Sequence, residues 1–154
     1  MIQIIALIIG TVAFYLYVLA VWERFGVLGS VSASTYYFEG QHRWWFLAGT
    51  WLPAFAMLMQ GMGVFGFLSA AGLLFTGLTI NHRINIAQSR IIHYIGAILA
   101  ILAALVGLVV LYGYWLPLIV WIIVTVILHR VTINWIWWTE IFAVVFVVAG
   151  ILTV

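Results

Sequence analysis

The stretch "WWFLAGTWLPAFAMLMQGMGVFGFLSAAGLLFTGLTI" (44–80) decides how this chain folds. It carries no charged side chain, and it far exceeds the roughly 20 apolar residues that take a helix across the hydrocarbon of a bilayer. It must therefore be divided. The divider is "GMG" (61–63), because glycine adopts positive φ at no steric cost and so suits a tight reversal. The split gives two apolar helices, about 44–60 and 64–80, and sets the pattern for the rest of the chain.

Outward from this hairpin, four more apolar segments follow as spans, about 2–22, 91–112, 114–128 and 133–153, the third of them the shortest. The sequence thus predicts an all-α fold, a polytopic transmembrane bundle of six spans forming one integral membrane domain over 1–154. The opening "MIQIIALIIG" has no basic region before its apolar run, so it reads as a first spanning helix and not as a cleaved signal. "YGYW" (112–115) separates the fourth and fifth spans, which leaves Pro117 in the first turn of the fifth, where proline is tolerated. Pro53 falls inside the second span and is expected to kink it by removing a backbone donor.

Composition supports a membrane location and excludes several functions. Hydrophobic residues make up 68% of the chain and charged residues 5%, against about 25% charged in a soluble domain. Cysteine is absent, which removes disulfides, thiol catalysis and cysteine-ligated metals. A net charge of +2, scattered along the chain, gives no footprint for nucleic acid.

The few polar residues are unevenly placed. With six spans, the connections at 23–43, 81–90 and 129–132 share one side, and every arginine lies in them or at their edges: Arg24, Arg43, Arg83, Arg90 and Arg130. Glu23, Glu39, His42, His82 and His129 lie there too. His93 sits one turn inside the fourth span, and Glu140 about two turns inside the sixth, counted from the same side. Trp22, Trp44, Trp45, Trp135, Trp137 and Trp138 mark that interface; Tyr112, Tyr114 and Trp115 mark the other. An arginine at the bilayer centre costs about 2.5–3.5 kcal/mol on insertion scales, so solvation alone gathers charge at such an end. The question is whether that polar face also binds something.

Candidate ligand or polar-face residues are Ser30, Ser32, Tyr36, Tyr37, His42, His82, His93 and Glu140. Glu140 is the sharpest, because an ionisable group inside a span usually faces the bundle and finds a partner; an arginine, a histidine or a hydroxyl is expected. His93 should lean back toward the polar face, since helical side chains tilt toward the N-terminus. The hydroxyl-rich loop after the first span is expected to fold over the bundle mouth and hydrogen-bond it. No His-x-x-x-His, Glu-x-x-His or His-Glu-x-x-His spacing occurs, so neither a metal nor another cofactor is expected. A serine nucleophile within "GSVSASTYY" (29–37) lacks both a Gly-x-Ser-x-Gly elbow and an aspartate to orient a histidine. Small residues on the fourth span (Gly96, Ala100, Ala103, Ala104, Gly107) and on the third (Gly66, Ala70, Gly72, Thr76, Gly77) predict close packing of those two helices.

Three stretches, "SVSASTYY" (30–37), "GFLSAAGLLFTG" (66–77) and "HYIGA" (93–97), together resemble small six-span proteins of the damage-regulated autophagy modulator type and their bacterial and phage relatives. The resemblance covers roughly 25–110. It implies six helices, a role at membranes and no established catalytic residues. Ala33 stands where an aspartate often follows the serines. The resemblance also implies cytoplasmic termini, whereas the arginine bias implies a cytoplasmic polar face, so sidedness stays open.

The leading expectation is a non-enzymatic multi-pass membrane protein that binds membrane lipid, a partner membrane protein or a second copy of itself through the polar face, and no nucleic acid. A membrane-embedded hydrolase or metalloenzyme using the histidines and Glu140 is the rival. A small transporter or channel is the third reading.

Overall fold

The structure is a computed structural model and describes residues 1–31, 43–78 and 86–154. Among these residues the chain is all-α, with six helices: α1 (Ile2–Phe25), α2 (Arg43–Met59), α3 (Gly63–Leu78), α4 (Ile86–Tyr112), α5 (Leu116–Val131) and α6 (Trp135–Thr153). The hairpin within 44–80 lies where the glycines put it. Gly61 and Gly63 have φ of 72° and 55°, and the residue between them, Met62, turns inward and is buried. A further left-handed glycine, Gly113 (φ 66°), ends α4, where its N–H donates to the Val109 carbonyl at 2.9 Å.

Among the described residues, three helices are long and apolar enough to cross a membrane: α1, the part of α4 from Ile91 to Tyr112, and α6. This is fewer than the six spans expected. At about 1.5 Å per residue, the 17 residues of α2 and the 16 of α3 and of α5 extend about 24–26 Å, short of the roughly 30 Å of a typical hydrocarbon core. The helix ends also move. α1 continues to Phe25 before Gly26 stops it, and α4 begins at Ile86, five residues before the hydropathy onset. α5 starts at Leu116, because proline occupies its first turn, and runs on to Val131. α2 runs through Pro53 and ends at Met59.

Neighbouring helices pack antiparallel, and their contacts run along their lengths. Gln60 Nε2 donates to the Gln3 carbonyl at 3.1 Å; further along the same pair, a Cβ on Gly10 would meet Pro53 Cα at 3.0 Å, and one on Gly49 would meet the Tyr17 side chain at 2.7 Å. The third helix splits its small residues between two neighbours. Gly66 and Gly77 are eleven residues apart, roughly three full turns, and both face α2, where added Cβ atoms would strike the Met57 carbonyl and Thr50 Oγ1. Gly72 lies on another side. Its Cβ would fall 2.5 Å from the Gly96 carbonyl oxygen and 2.6 Å from the Ala100 amide, so α3 and α4 touch backbone to backbone. Ser69 adds a buried hydrogen bond there, donating to the Ala100 carbonyl at 2.9 Å. Small residues with hydroxyl bridges suit association in lipid, where burial of apolar surface gives no net drive.

The helices α5 and α6 form their own hairpin, joined by the bond from Trp121 Nε1–H to the Thr139 carbonyl at 3.2 Å and by the edge contact of His129 with Trp135, centroids 5.0 Å apart. This hairpin meets α1–α4 over a smaller area than the earlier helices share among themselves. One core cluster joins α2, α3, α4 and α6 around Leu105 and Leu108. The other gathers Tyr17, Val21, Val31, Phe46 and Trp137 at the polar end.

Candidate functional site

At that end the start of the first loop tucks into the bundle. Ser30 and Val31 are buried, and Val31 seats its side chain among Tyr17, Phe46 and Trp137. Its backbone N–H donates to Glu140 Oε2 at 2.6 Å. Glu140 is about 8 Å along α6 from the first residue, Trp135, at 1.5 Å per residue. A carboxylate accepting a main-chain N–H makes a charge-assisted bond, roughly twice as strong as a neutral one. So Glu140 turns inward as expected, and a main-chain donor is part of what holds it, where the sequence pointed to side chains.

His93 is fully buried. Its Nδ1 lies 3.2 Å from the Thr76 carbonyl oxygen, and its ring stacks on Phe46, centroids 6.1 Å apart. An oxygen acceptor requires the proton on Nδ1. Thr76 lies near the described end of α3, and the imidazole of α4 supplies a donor to its carbonyl. The hydrogen bond expected from the loop at 28–40 falls mostly on 32–40, outside the described residues. Ser32, Tyr36, Tyr37, His42 and His82 lie outside them as well. Among the described residues no group of three or more His, Cys, Asp and Glu is placed to hold a metal ion.

Two cavities meet at Glu140. One, about 70 Å³, lies between α1, α2, α3, α4 and α6 and is bounded by Val31, Phe46, Thr76 and Glu140. The other, about 280 Å³, is a groove between α4 and the α5–α6 hairpin, walled by Ile98, Leu102, Trp121 and Ile136 and reaching Thr125, Thr139 and Glu140. Thr139 is 7% exposed, and the buried hydroxyl oxygens of Thr125 and Thr139 have no hydrogen-bond partner among the described residues. Sequence reasoning missed these two threonines. The available signal was a hydroxyl inside an apolar helix, alone in α5 and apart from the terminal Thr153 in α6.

Comparison with family models, with curated proteins and with solved structures gives no match. What the described residues display is an all-α bundle with three membrane-length apolar helices and a polar end organised around Glu140 and His93.

Proposed function

We propose that this is a six-span integral membrane protein, without catalytic machinery of its own, that binds lipid at its polar end. The observation that carries the spanning part is the pairing of each short helix with a long one. The α2 helix lies alongside α1 from Gln3–Gln60 to Tyr17–Gly49. The α3 helix follows α4 from Phe65–Gly107 to Thr76–His93. The α5 helix follows α6 from Pro117–Gly150 to His129–Trp135. A helix held against a spanning neighbour at matching depths occupies the same slab of bilayer, and a few ångströms of mismatch are accommodated at modest cost. The outward faces agree: Ile119, Ile122, Ile123, Val126 and Ile127 of α5 are all about half exposed, as are Phe55 of α2 and Phe75 of α3. Such a belt is at home in lipid and not in water.

For the binding part, the support is Glu140, held on the first loop where two cavities meet. The resemblance to the damage-regulated autophagy modulator type belongs to the same proposal. Purification in nanodiscs formed from native membrane, followed by mass spectrometry of the retained lipid, tests it. A retained lipid enriched over the surrounding bilayer supports lipid binding, and a retained population identical to the bulk refutes it.

A further inference from the structure

We propose that the α5–α6 hairpin is a lateral gate, hinged at the Gly113 turn and latched by the Glu140–Val31 bond, that separates the bundle interior from the groove beside α4. The gate rests on the membrane reading above but not on lipid binding, and it adds a movement to this part of the fold. Three spaces lie in a row across the bundle. The groove of about 280 Å³ and the chamber of about 70 Å³ share Ala97 and Ile101 of α4 and Glu140 of α6 as a common wall. The chamber in turn shares Phe14, Leu73, Ala100 and Val144 with a third space of about 80 Å³ at the bundle centre. The partition between groove and interior is therefore the contact of α6 with α4 near Glu140. Moving α6 away from α4 at that point joins all three spaces.

The hairpin is fixed at one end and latched at the other. At the far end α4, α5 and α6 converge, where a Cβ on Gly150 would collide with Leu108 of α4 and stand 3.1 Å from Pro117 of α5. Only Gly113, Tyr114 and Trp115 connect α4 to α5, and Gly113 takes φ 66° with nothing within 4 Å of the place of a Cβ. At the polar end the hairpin stands off α4 and leans on α1, α2 and the first loop instead. Trp137 packs with Tyr17, Phe46 and Val31, Tyr15 donates to the Ile141 carbonyl at 3.4 Å, and Glu140 accepts from the Val31 amide at 2.6 Å. The bond to Glu140 is short and charge-assisted; the Tyr15 bond is long and weak.

The closed position also leaves polar groups unsatisfied. Trp137 Nε1, Thr125 Oγ1 and Thr139 Oγ1 are buried without a hydrogen-bond partner among the described residues, and all three belong to the hairpin. Burying such groups unpaired is unfavourable. An outward tilt brings the polar end of the hairpin within reach of water and headgroups at the interface. The latch and these unsatisfied groups thus act in opposite directions, as in hinged closures held by a few contacts. Admitting one layer of carbon atoms between α4 and α6 takes about 4 Å, the contact distance of carbon. The 16 residues of α5 make a lever of about 24 Å, and a tilt of about 10° about the turn moves its polar end that far.

The test measures distances between pairs of spin labels by pulsed electron resonance on the full chain in phosphatidylcholine vesicles. The chain has no native cysteine, so each introduced pair is specific. Labels at the exposed positions Ile91→Cys on α4 and Val131→Cys on α5 report the polar end, and Val110→Cys with Leu152→Cys reports the far end. Ile91→Cys with Phe75→Cys on α3 reports a contact outside the gate. The expected result for Glu140→Ala is a second population about 4 Å longer between 91 and 131, with the other two pairs unchanged. Glu140→Gln should give a smaller share of the same population. Val31→Pro removes the donor and keeps the carboxylate; it should act as Glu140→Ala does, and it replaces that variant if Glu140→Ala fails to insert. A distance between 91 and 131 that stays the same in either variant, or equal lengthening at all three pairs, overturns the proposal. Carbonate extraction reads the membrane assignment separately. A chain that stays in the vesicles with an unchanged distance refutes the gate alone, and a chain released by carbonate refutes the membrane reading and the gate together.

Discussion

Replacing Glu140 with alanine removes the acceptor of the 2.6 Å hydrogen bond from the Val31 amide and leaves that amide beside a side chain only 3% exposed. Hydrogen bonds to charged groups contribute about 1.5–3 kcal/mol, which corresponds to a rise of roughly 10- to 150-fold in the opening equilibrium. Hydrogen exchange at Val31, followed by mass spectrometry on the full chain in nanodiscs, reads that opening directly. Glu140→Gln is the informative partner variant. It keeps an acceptor oxygen at nearly the same place and loses the charge, so the difference between a charged and a neutral bond, about 1 kcal/mol, should raise exchange only about fivefold. Amides in the middle of α4 should be unaffected in both variants. If Val31 exchanges in Glu140→Ala as slowly as in the parent protein, the loop is not held by Glu140 and the tether is refuted.

Other substitutions probe the helix contacts. Gly72→Ala places a methyl 2.5 Å from the Gly96 carbonyl, and overpacking of this kind should lower stability by about 1–3 kcal/mol in reversible unfolding in detergent micelles; an unchanged midpoint would contradict the backbone contact. Ser69→Ala, which deletes the bond to the Ala100 carbonyl, should cost about 0.6 kcal/mol and at most about 1.7 in the same assay. His93→Phe keeps a ring against Phe46 but loses the donor to Thr76, and should cost about 1 kcal/mol. Amides near Thr76 should then exchange faster than those in the first turn of α3, and equal protection at both places would show that the imidazole does not hold the Thr76 carbonyl.

How much of this was legible in the sequence depended on whether the cause was local. The hairpin at 61–63 was legible because only glycine takes positive φ freely, and Gly61 and Gly63 both do. The α3–α4 contact was legible because small residues recurred at helical spacing, although Gly66 and Gly77 face α2 instead. Helix ends were not, since hydropathy marks the part of a helix suited to lipid while the backbone continues beyond it, as α1 does to Phe25 and α4 does from Ile86. The inward turn of Glu140 followed from the cost of an unsatisfied carboxylate in hydrocarbon, but the Val31 amide could not have been named, because every residue carries an amide. The groove was hidden for a different reason. It exists where α4 and the α5–α6 hairpin fail to meet closely, and a gap between distant segments has no signature in either of them.

The number of crossings is the claim on which the rest depends, and single cysteines at two positions decide it. Arg24 lies in the last turn of α1 and Ile133 precedes α6; Arg24 is exposed, and Ile133 is 97% exposed. If all six helices cross, Arg24→Cys and Ile133→Cys lie on the same side of the membrane and Trp115→Cys, in the α4–α5 turn, lies on the other. If only α1, α4 and α6 cross, Arg24 and Ile133 are on opposite sides, and Ile133 shares its side with Trp115. Labelling of sealed, uniformly oriented vesicles with a membrane-impermeant maleimide, before and after permeabilisation, should therefore give matching results at 24 and 133 and the reverse at 115. Opposite results at 24 and 133 would contradict the six-span bundle.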